Sequence, residues 1–452
     1  MTHSSLSSLK VPLAVAAGLM LAGSGMTNEA ITATGPAKVE VRKVDGCWRL
    51  LVNHQPFFIK GGGLESGNQE QLAAAGGNSI RTWRTDNGCQ TGRQVLDRAA
   101  KNGLYVTMGL DLGRERHGFD YSDAGAVARQ FAKIKAQVLQ LQDHPALLLW
   151  DIGNELNLNA HNPKVWDAVN DISKMIHQLD PNHPTTTSLA GVSKELVSQI
   201  KLRAPDLDLL CFQSYADIVN LPREIQDSGW DGAYVVTEWG ATGHWECGKT
   251  DWGAPIEDDS SAKADLYRKR YEIAIAPEKK ACLGSYVFLW GQKQERTPTW
   301  YGMFLPSGQA TETVDVMQYI WTGQWPTHRS PELQGFWLNG KTAWQNVHLS
   351  AGQNYPAKVL ANSGARVPLT YSWEVMKEST AQSIGGDSET PPQKLPGLVV
   401  GGAGAGAQVL APTKAGAYRL FVYILDSRGK AAYANIPFYV DEKLAVMNAG
   451  LP

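Results

Sequence analysis

The chain is poor in cysteine, has no excess of charge of either sign, and lacks any apolar run long enough to cross a bilayer. Its 452 residues include only five cysteines (Cys47, Cys89, Cys211, Cys247 and Cys282), none in a CxxC pair or at metal-ligand spacing. That excludes a disulfide scaffold and implies no metal. One bridge is still expected outside the cytoplasm, between the loop cysteines Cys89 and Cys247, with Cys211 and Cys282 as buried thiols. Lysine and arginine number 42 against 44 acidic residues, for a net charge of −2, and no basic run or basic-aromatic stripe occurs. Nucleic acid is therefore not expected as a partner. No GxGxxG or GxxxxGK[ST] loop is present to cradle a nucleotide phosphate. The apolar run at residues 11–22 is too short for comfortable membrane insertion. Preceded by Lys10 and followed by Gly23-Ser24-Gly25, it reads as an export signal over residues 1–25, which predicts a secreted or periplasmic protein. Ser24 stands where a lipidated cysteine would follow Leu21-Ala22-Gly23, which argues against a lipid anchor.

Tryptophan, by contrast, is plentiful: 15 residues against 10 phenylalanines, a supply of flat apolar faces that suit both a core and a sugar ring. Strand-like runs flank Asp45-Gly46, a tight-turn signal, and predict a hairpin within residues 38–56. Eight short apolar runs follow at 57–61, 79–83, 104–110, 146–152, 185–189, 207–212, 234–237 and 283–290, separated by stretches with helical periodicity such as 90–101, 124–142 and 164–179. Eight such repeats with nearly continuous apolar strands predict an α/β fold, a closed (β/α)8 TIM barrel over residues 57–326. After a linker at 327–331, short alternating runs over 332–442 predict a β-sandwich of immunoglobulin-like type. No catalytic constellation is visible in it, and it is expected to serve as a buttress or spacer rather than as a carbohydrate-binding module.

The chemistry sits at two strand ends. Glu155 closes the fourth run, in Trp150-Asp151-Ile152-Gly153-Asn154-Glu155, and Glu238 closes the seventh, in Thr237-Glu238-Trp239-Gly240. In a (β/α)8 barrel these ends open onto the face that hosts catalysis. Two carboxylates there match retaining glycoside cleavage: one protonates the leaving oxygen while the other, about 5–5.5 Å away, attacks the anomeric carbon. A lone acid at a strand end more often caps a helix; the pair, one member directly preceded by Asn154, is specific. Asp151 adds a third carboxylate, expected to be a structural ion-pair partner. The loop at 112–122, with Arg114, Glu115, Arg116, His117 and Tyr121, is placed to wall a cleft or cap a pocket. Among the later loop aromatics, His244, Trp245, Trp252, Trp300 and Tyr301 either form subsites or pack inward.

On these residues the chain resembles the large clan of retaining glycosidases with catalytic glutamates on strands four and seven. The stretch from Asp143-His144-Pro145 to Asn154-Glu155 is similar to the β-galactosidase and β-glucuronidase family and resembles fungal β-1,3-glucanosyltransferases, over about residues 38–326. The resemblance implies Glu155 as general acid/base and Glu238 as nucleophile, with no cofactor. It further implies that Asn154 bonds the sugar 2-hydroxyl, that Tyr215 holds the nucleophile, that Arg81 lies beside it and that Trp290 floors the reacting sugar. Trp239 and Trp245 are expected to add aromatic contacts. The large N-terminal domains of the β-galactosidase-type family have no counterpart here beyond the hairpin. Together with the aromatic loops, this points to a β-linked oligo- or polysaccharide, β-1,3-glucan preferred, cleaved by water or transferred to another sugar. A β-galactosidase, β-glucuronidase or β-mannanase on the same frame is the alternative. A non-catalytic carbohydrate-binding envelope protein is the rival of another class, and it needs no acid/nucleophile pair.

Overall fold

The computed structural model describes residues 28–65, 67–364 and 367–442; the expected export segment at 1–25 lies outside the described residues. The chain opens with three short antiparallel strands, β1 (Val39–Val44), β2 (Cys47–Val52) and β3 (Gln55–Phe57). Asp45 and Gly46, with φ of 50° and 78°, form the predicted tight turn between the first two. The inner residues of this sheet, including Val39, Leu50 and Val52, share an apolar cluster with Leu148, Leu209, Val235 and Leu283, which lie toward the N-terminal ends of barrel strands. The hairpin is thus a plug that closes the bottom of the barrel, tied to it by the Trp48 N–H donating to Lys280 O at 2.7 Å.

The barrel alternates β4 (Ile59–Gly63), α1 (Gln69–Ala74), β5 (Ser79–Arg81), α2 (Gly92–Lys101), β6 (Tyr105–Leu110), α3 (Ala124–Leu141), β7 (Leu147–Asn154) and α4 (Lys164–Leu179). It continues through β8 (Thr185–Ala190), α5 (Lys194–Arg203), β9 (Leu210–Gln213), α6 (Leu221–Ser228), β10 (Tyr234–Gly240), α7 (Ser260–Ala274), β11 (Cys282–Phe288) and α8 (Glu312–Thr322). All eight strands are parallel and close in the order β10-β11-β4-β5-β6-β7-β8-β9. Each falls on one of the eight predicted runs. Strands covered on both faces read as unbroken apolar segments, and every residue of β7 and β10 is buried. The helices bury one face each: α2, opened by a Thr91–Gln94 capping box, buries Val95, Leu96 and Ala99 and carries Arg98 and Lys101 in its last turn, where cations favour the helix dipole.

Two four-stranded sheets follow. One runs β12 (Glu332–Leu338), β14 (Asn354–Asn362), β17 (Gly406–Leu410) and β16 (Val399–Val400) across the sheet; the other runs β13 (Val347–Ser350), β19 (Ala431–Asp441), β18 (Gly416–Asp426) and β15 (Leu369–Lys377). Their inner faces share an apolar core that includes Leu338, Val359, Val409, Leu420 and Phe438. Strand β17 alternates exposed and buried, as a strand with one wet face should, whereas β19 is buried on both faces. The second dry face of β19 lies against the barrel. There Lys263 Nζ meets Glu257 Oε1 at 2.6 Å and donates to Tyr433 Oη at 2.9 Å, and Asn435 Nδ2 donates to Glu257 Oε2 at 2.6 Å. Arg419 joins the units again, donating to Pro255 O and bridging Glu378, both at 2.8 Å. The expected disulfide is not formed: all five cysteines are free, Cys89 exposed and Cys247 half-buried, while Cys211 and Cys282 are buried thiols. Among the described residues no helix is long and apolar enough to cross a membrane.

Candidate active site

Glu155 and Glu238 line one cavity of about 410 Å3 at the C-terminal mouth of the barrel. Local backbone geometry puts them there. Successive residues of a strand face opposite sides, so Asn154 and Glu155 cannot both face the mouth on a regular β7. The register between β7 and β8 shifts between Asp151 and Asn154, where Gly153 is left-handed at φ 79°, and Glu155 itself has φ 50°. That bulge turns consecutive side chains toward the cavity, and the Glu155 N–H is kept by Ser188 O at 2.8 Å. The left-handed φ, and the 2.5 Å at which a β-carbon would meet Leu156 Cδ1, both favour glycine at position 153.

The two carboxyls live in opposite surroundings. Glu238, 5% exposed, is held by four donors. Arg81 Nη1 and Trp83 Nε1 donate to its Oε1 at 2.8 Å, Gln213 Nε2 donates to the same oxygen at 3.0 Å, and Tyr215 Oη donates to Oε2 at 2.8 Å. Such donors suit an anion. Burial, and then the Glu238 charge, push the Tyr215 hydroxyl far above its usual range, so it stays a donor. Arg81 is fully buried and forks three ways, to Glu238, to Asp151 Oδ2 at 3.0 Å and to Asn154 Oδ1 at 2.6 Å. Desolvation opposes its charge, but Asp151 and Glu238 more than offset this and raise its pKa. Asp151 is accordingly an ion-pair partner, as expected. Asn154 accepts from both Arg81 and Gln213 Nε2 through Oδ1, which fixes the amide and turns Nδ2 into a donor for a ligand hydroxyl.

Around Glu155, 8% exposed, no hydrogen bond reaches the carboxyl among the described residues. Burial, reinforced by the Glu238 charge and only partly relieved by Arg116, Arg81 and Arg114, pushes its pKa up to about 7. One cavity thus holds a carboxyl kept protonated near neutrality and a carboxylate caged by donors, the division of labour that acid and nucleophile require.

Of the predicted contacts, Arg81, Asn154, Tyr215 and Trp245 gather here. Trp245 lines the cavity, is 55% exposed and packs edge-on against Tyr215 at 5.5 Å. Two tryptophans do not. Trp290 is 0% exposed, donates to Asn68 O at 3.0 Å and packs on Phe304 and Trp321 beneath α8. Strand β11 ends at Phe288, and it is Phe288, edge-on to Trp83 at 5.7 Å, that lines the cavity instead. Trp239 is also 0% exposed: with Glu238 facing inward, its neighbour faces outward, onto Tyr267 and Tyr271 of α7. Trp300 and Tyr301 are buried, and Trp252 packs on His348 and Tyr439 of the sandwich. Trp83 and Gln213 were missed by sequence reasoning. Trp83 closes the apolar run 79–83, two residues beyond Arg81, and its place at that strand end was the available signal. Nothing in the sequence pointed to the other missed segment: residues 385–389 of the sandwich, between β15 and β16, also line the cavity.

No protein-family model and no curated protein matches the chain. Among solved structures, it is similar to a β-glucuronidase from Bifidobacterium dentium complexed with coumarin-3-O-glucuronide, with a TM-score of 0.49 and 16% identity over 64% of this chain and 49% of that one. A putative β-galactosidase from Bacteroides fragilis gives a TM-score of 0.46 at 13% identity, covering 90% and 58% of the two chains. For a family 5 glycoside hydrolase mannosidase from Rhizomucor miehei the TM-score is 0.43 at 13% identity, covering 62% and 96%. The chain spans about half the length of the β-glucuronidase it is compared with. At these values the likeness carries no functional weight, and the reading of the site rests on its own residues.

Proposed function

We propose that the protein is a secreted, retaining β-glycoside hydrolase with transfer activity, acting on a β-linked glucan, with β-1,3-glucan as the preferred substrate and the C-terminal sandwich as an immunoglobulin-like appendage. The observation that carries the reading is the contrast between Glu155, without a donor and raised to about pH 7, and Glu238 in its cage of four donors. Glu238 attacks the anomeric carbon as its bond to the leaving oxygen breaks, and Glu155 gives that oxygen its proton. The ionised Glu155 then takes a proton from water or from a sugar hydroxyl, whose oxygen attacks the same carbon and frees Glu238. Arg81, Trp83, Gln213 and Tyr215 orient the nucleophile, and Asn154 Nδ2 is placed for the hydroxyl next to the reacting carbon. Exposed Trp245 offers the incoming sugar a stacking face, so that proximity favours transfer. No step calls on a cofactor. Proton NMR of the first product formed from an aryl β-glycoside or a β-1,3-gluco-oligosaccharide tests the reading: a β-anomer is expected, and an α-anomer as initial product excludes double displacement.

A further inference from the structure

The segment joining β15 to β16, residues 378–398, leaves the sandwich and crosses the barrel mouth. At one end it meets the loop after β6: Arg116 Nη2 donates to Gly385 O at 3.4 Å, and His117 Nε2 lies 2.9 Å from Asp387 Oδ2. At the other it meets the loop after β11: Lys293 Nζ donates to Gly386 O at 2.6 Å, and Arg296 donates to Ala381 O at 2.7 Å and bridges Glu389 at 2.6 Å. Strands β4 and β5 stand between β11 and β6 in the barrel, and Glu65 and Trp83, which follow them, line the same cavity as strap residues 385–389. Trp83 donates to the nucleophile. The strap also presses on the acid: a β-carbon on Gly385, whose φ is 57°, would sit 2.8 Å from Glu155 Oε2 and 2.6 Å from Arg116 Nη2. In the loop after β10, beside the β11 anchor, Trp245 stands uncovered.

We infer that this strap determines specificity by making the site end-acting: it buries the sugar that bonds to Glu238 in a blind pocket and leaves only the leaving-group side, past Trp245, open to the rest of the chain. The inference rests on the proposed glycosidase reading. The sugar that becomes bonded to Glu238 must lie against the nucleophile and its Trp83 donor, which is the roofed side, so a chain cannot continue beyond it. A cavity of about 410 Å3 is near the small end of the range for sites that enclose a drug-sized ligand. The substrate class is therefore the non-reducing end of a β-linked oligosaccharide, and the sandwich supplies part of the binding site.

Reducing-end-labelled hexasaccharides of β-1,3-glucan, β-1,4-glucan and β-1,4-mannan decide it, with products sized during initial turnover by the full-length wild type, by His117→Ala and Lys293→Met singly and combined, and by His117→Gln. The wild type is expected to shorten the labelled chain stepwise by a product of one fixed size. The combined variant, extended by Arg296→Met so that the His117, Lys293 and Arg296 side-chain ties to Asp387, Gly386, Ala381 and Glu389 are all removed, is expected to raise the ratio of mid-chain to terminal products about tenfold or more, a modest change in differential binding. His117→Gln, which still donates to Asp387, should stay near the wild-type ratio. Mid-chain products from the wild type at the outset, or an unchanged ratio in the combined variant, would overturn the inference while the glycosidase reading stands. A wild type inactive on these chains and on aryl β-glycosides would overturn both.

Discussion

At the scale of single residues, Glu155 is a carboxyl that is costly to ionise. Glu155 in the folded chain holds its proton to about pH 7, against about 4.5 for an ordinary glutamate. Below pH 4.5 it is protonated in both the folded and unfolded chain and makes no difference to stability. As pH rises from 4.5 to 7 the unfolded chain gives up the proton and the folded one does not, so stability falls, with the full cost present above pH 7. Glu155→Gln cannot ionise and escapes that cost. Denaturant titrations are expected to show equal stability near pH 4 and a gain for the variant of up to about 3 kcal/mol at pH 8. A gain that does not grow with pH would mean that burial does not hold the proton. The same variant should lose about 10²–10⁴-fold on natural glycosides and, in the first step, read as the initial burst of leaving group, far less on glycosides whose leaving group needs no proton. In the wild type, activity on natural glycosides should fall as pH rises through about 7, because the acid form disappears. Equal losses on both substrate types in that first step would remove Glu155 from the acid role.

At the scale of elements, the sequence carried the strands, both glutamates and the Asp45-Gly46 turn, because each rests on local chemistry: apolar continuity, a strand end, a dipeptide that tolerates positive φ. It misled where side-chain direction mattered. Period two along β10 already assigns Trp239 to the face opposite Glu238, and that alternation was legible. For Trp290 it was not, since β11 ends at Phe288 and the chain turns before the tryptophan is reached. Pairing Cys89 with Cys247 failed because loop membership after a strand says nothing about distance. The plug formed by β1–β3 gives this scale its own prediction. Leu50 is 1% exposed in the cluster that closes the barrel bottom, far from the carboxylates. Leu50→Ala should cost about 2–5 kcal/mol in urea unfolding and leave KM unchanged. A stability loss under 1 kcal/mol, roughly what a surface substitution gives, would mean that the hairpin does not close the core.

At the scale of the whole molecule, barrel and sandwich share a buried polar seam at Lys263, Glu257, Tyr433, Asn435 and Arg419, and the strap returns from the sandwich to the acid. This exceeds the buttress anticipated from the sequence. Long-range placement of a loop by a second domain leaves no local trace in composition or periodicity, which is why residues 385–389 were invisible beforehand. A seam of paired charges cannot open one side at a time without stranding the other, so unfolding should be cooperative. Calorimetry is expected to record one transition whose van't Hoff and calorimetric enthalpies agree; two resolved transitions would show that the units are energetically separate. The central claim, that Glu238 carries the sugar between two half-reactions, is tested most directly by the mass of the intact protein. Incubation with an activated β-glycoside bearing fluorine in place of the 2-hydroxyl slows the second step more than the first when the leaving group is good. A mass gain of one fluorosugar is expected, located by digestion on the peptide containing Glu238 and absent from Glu238→Ala. Label on Glu155, or no adduct in protein that cleaves the parent glycoside, would contradict it.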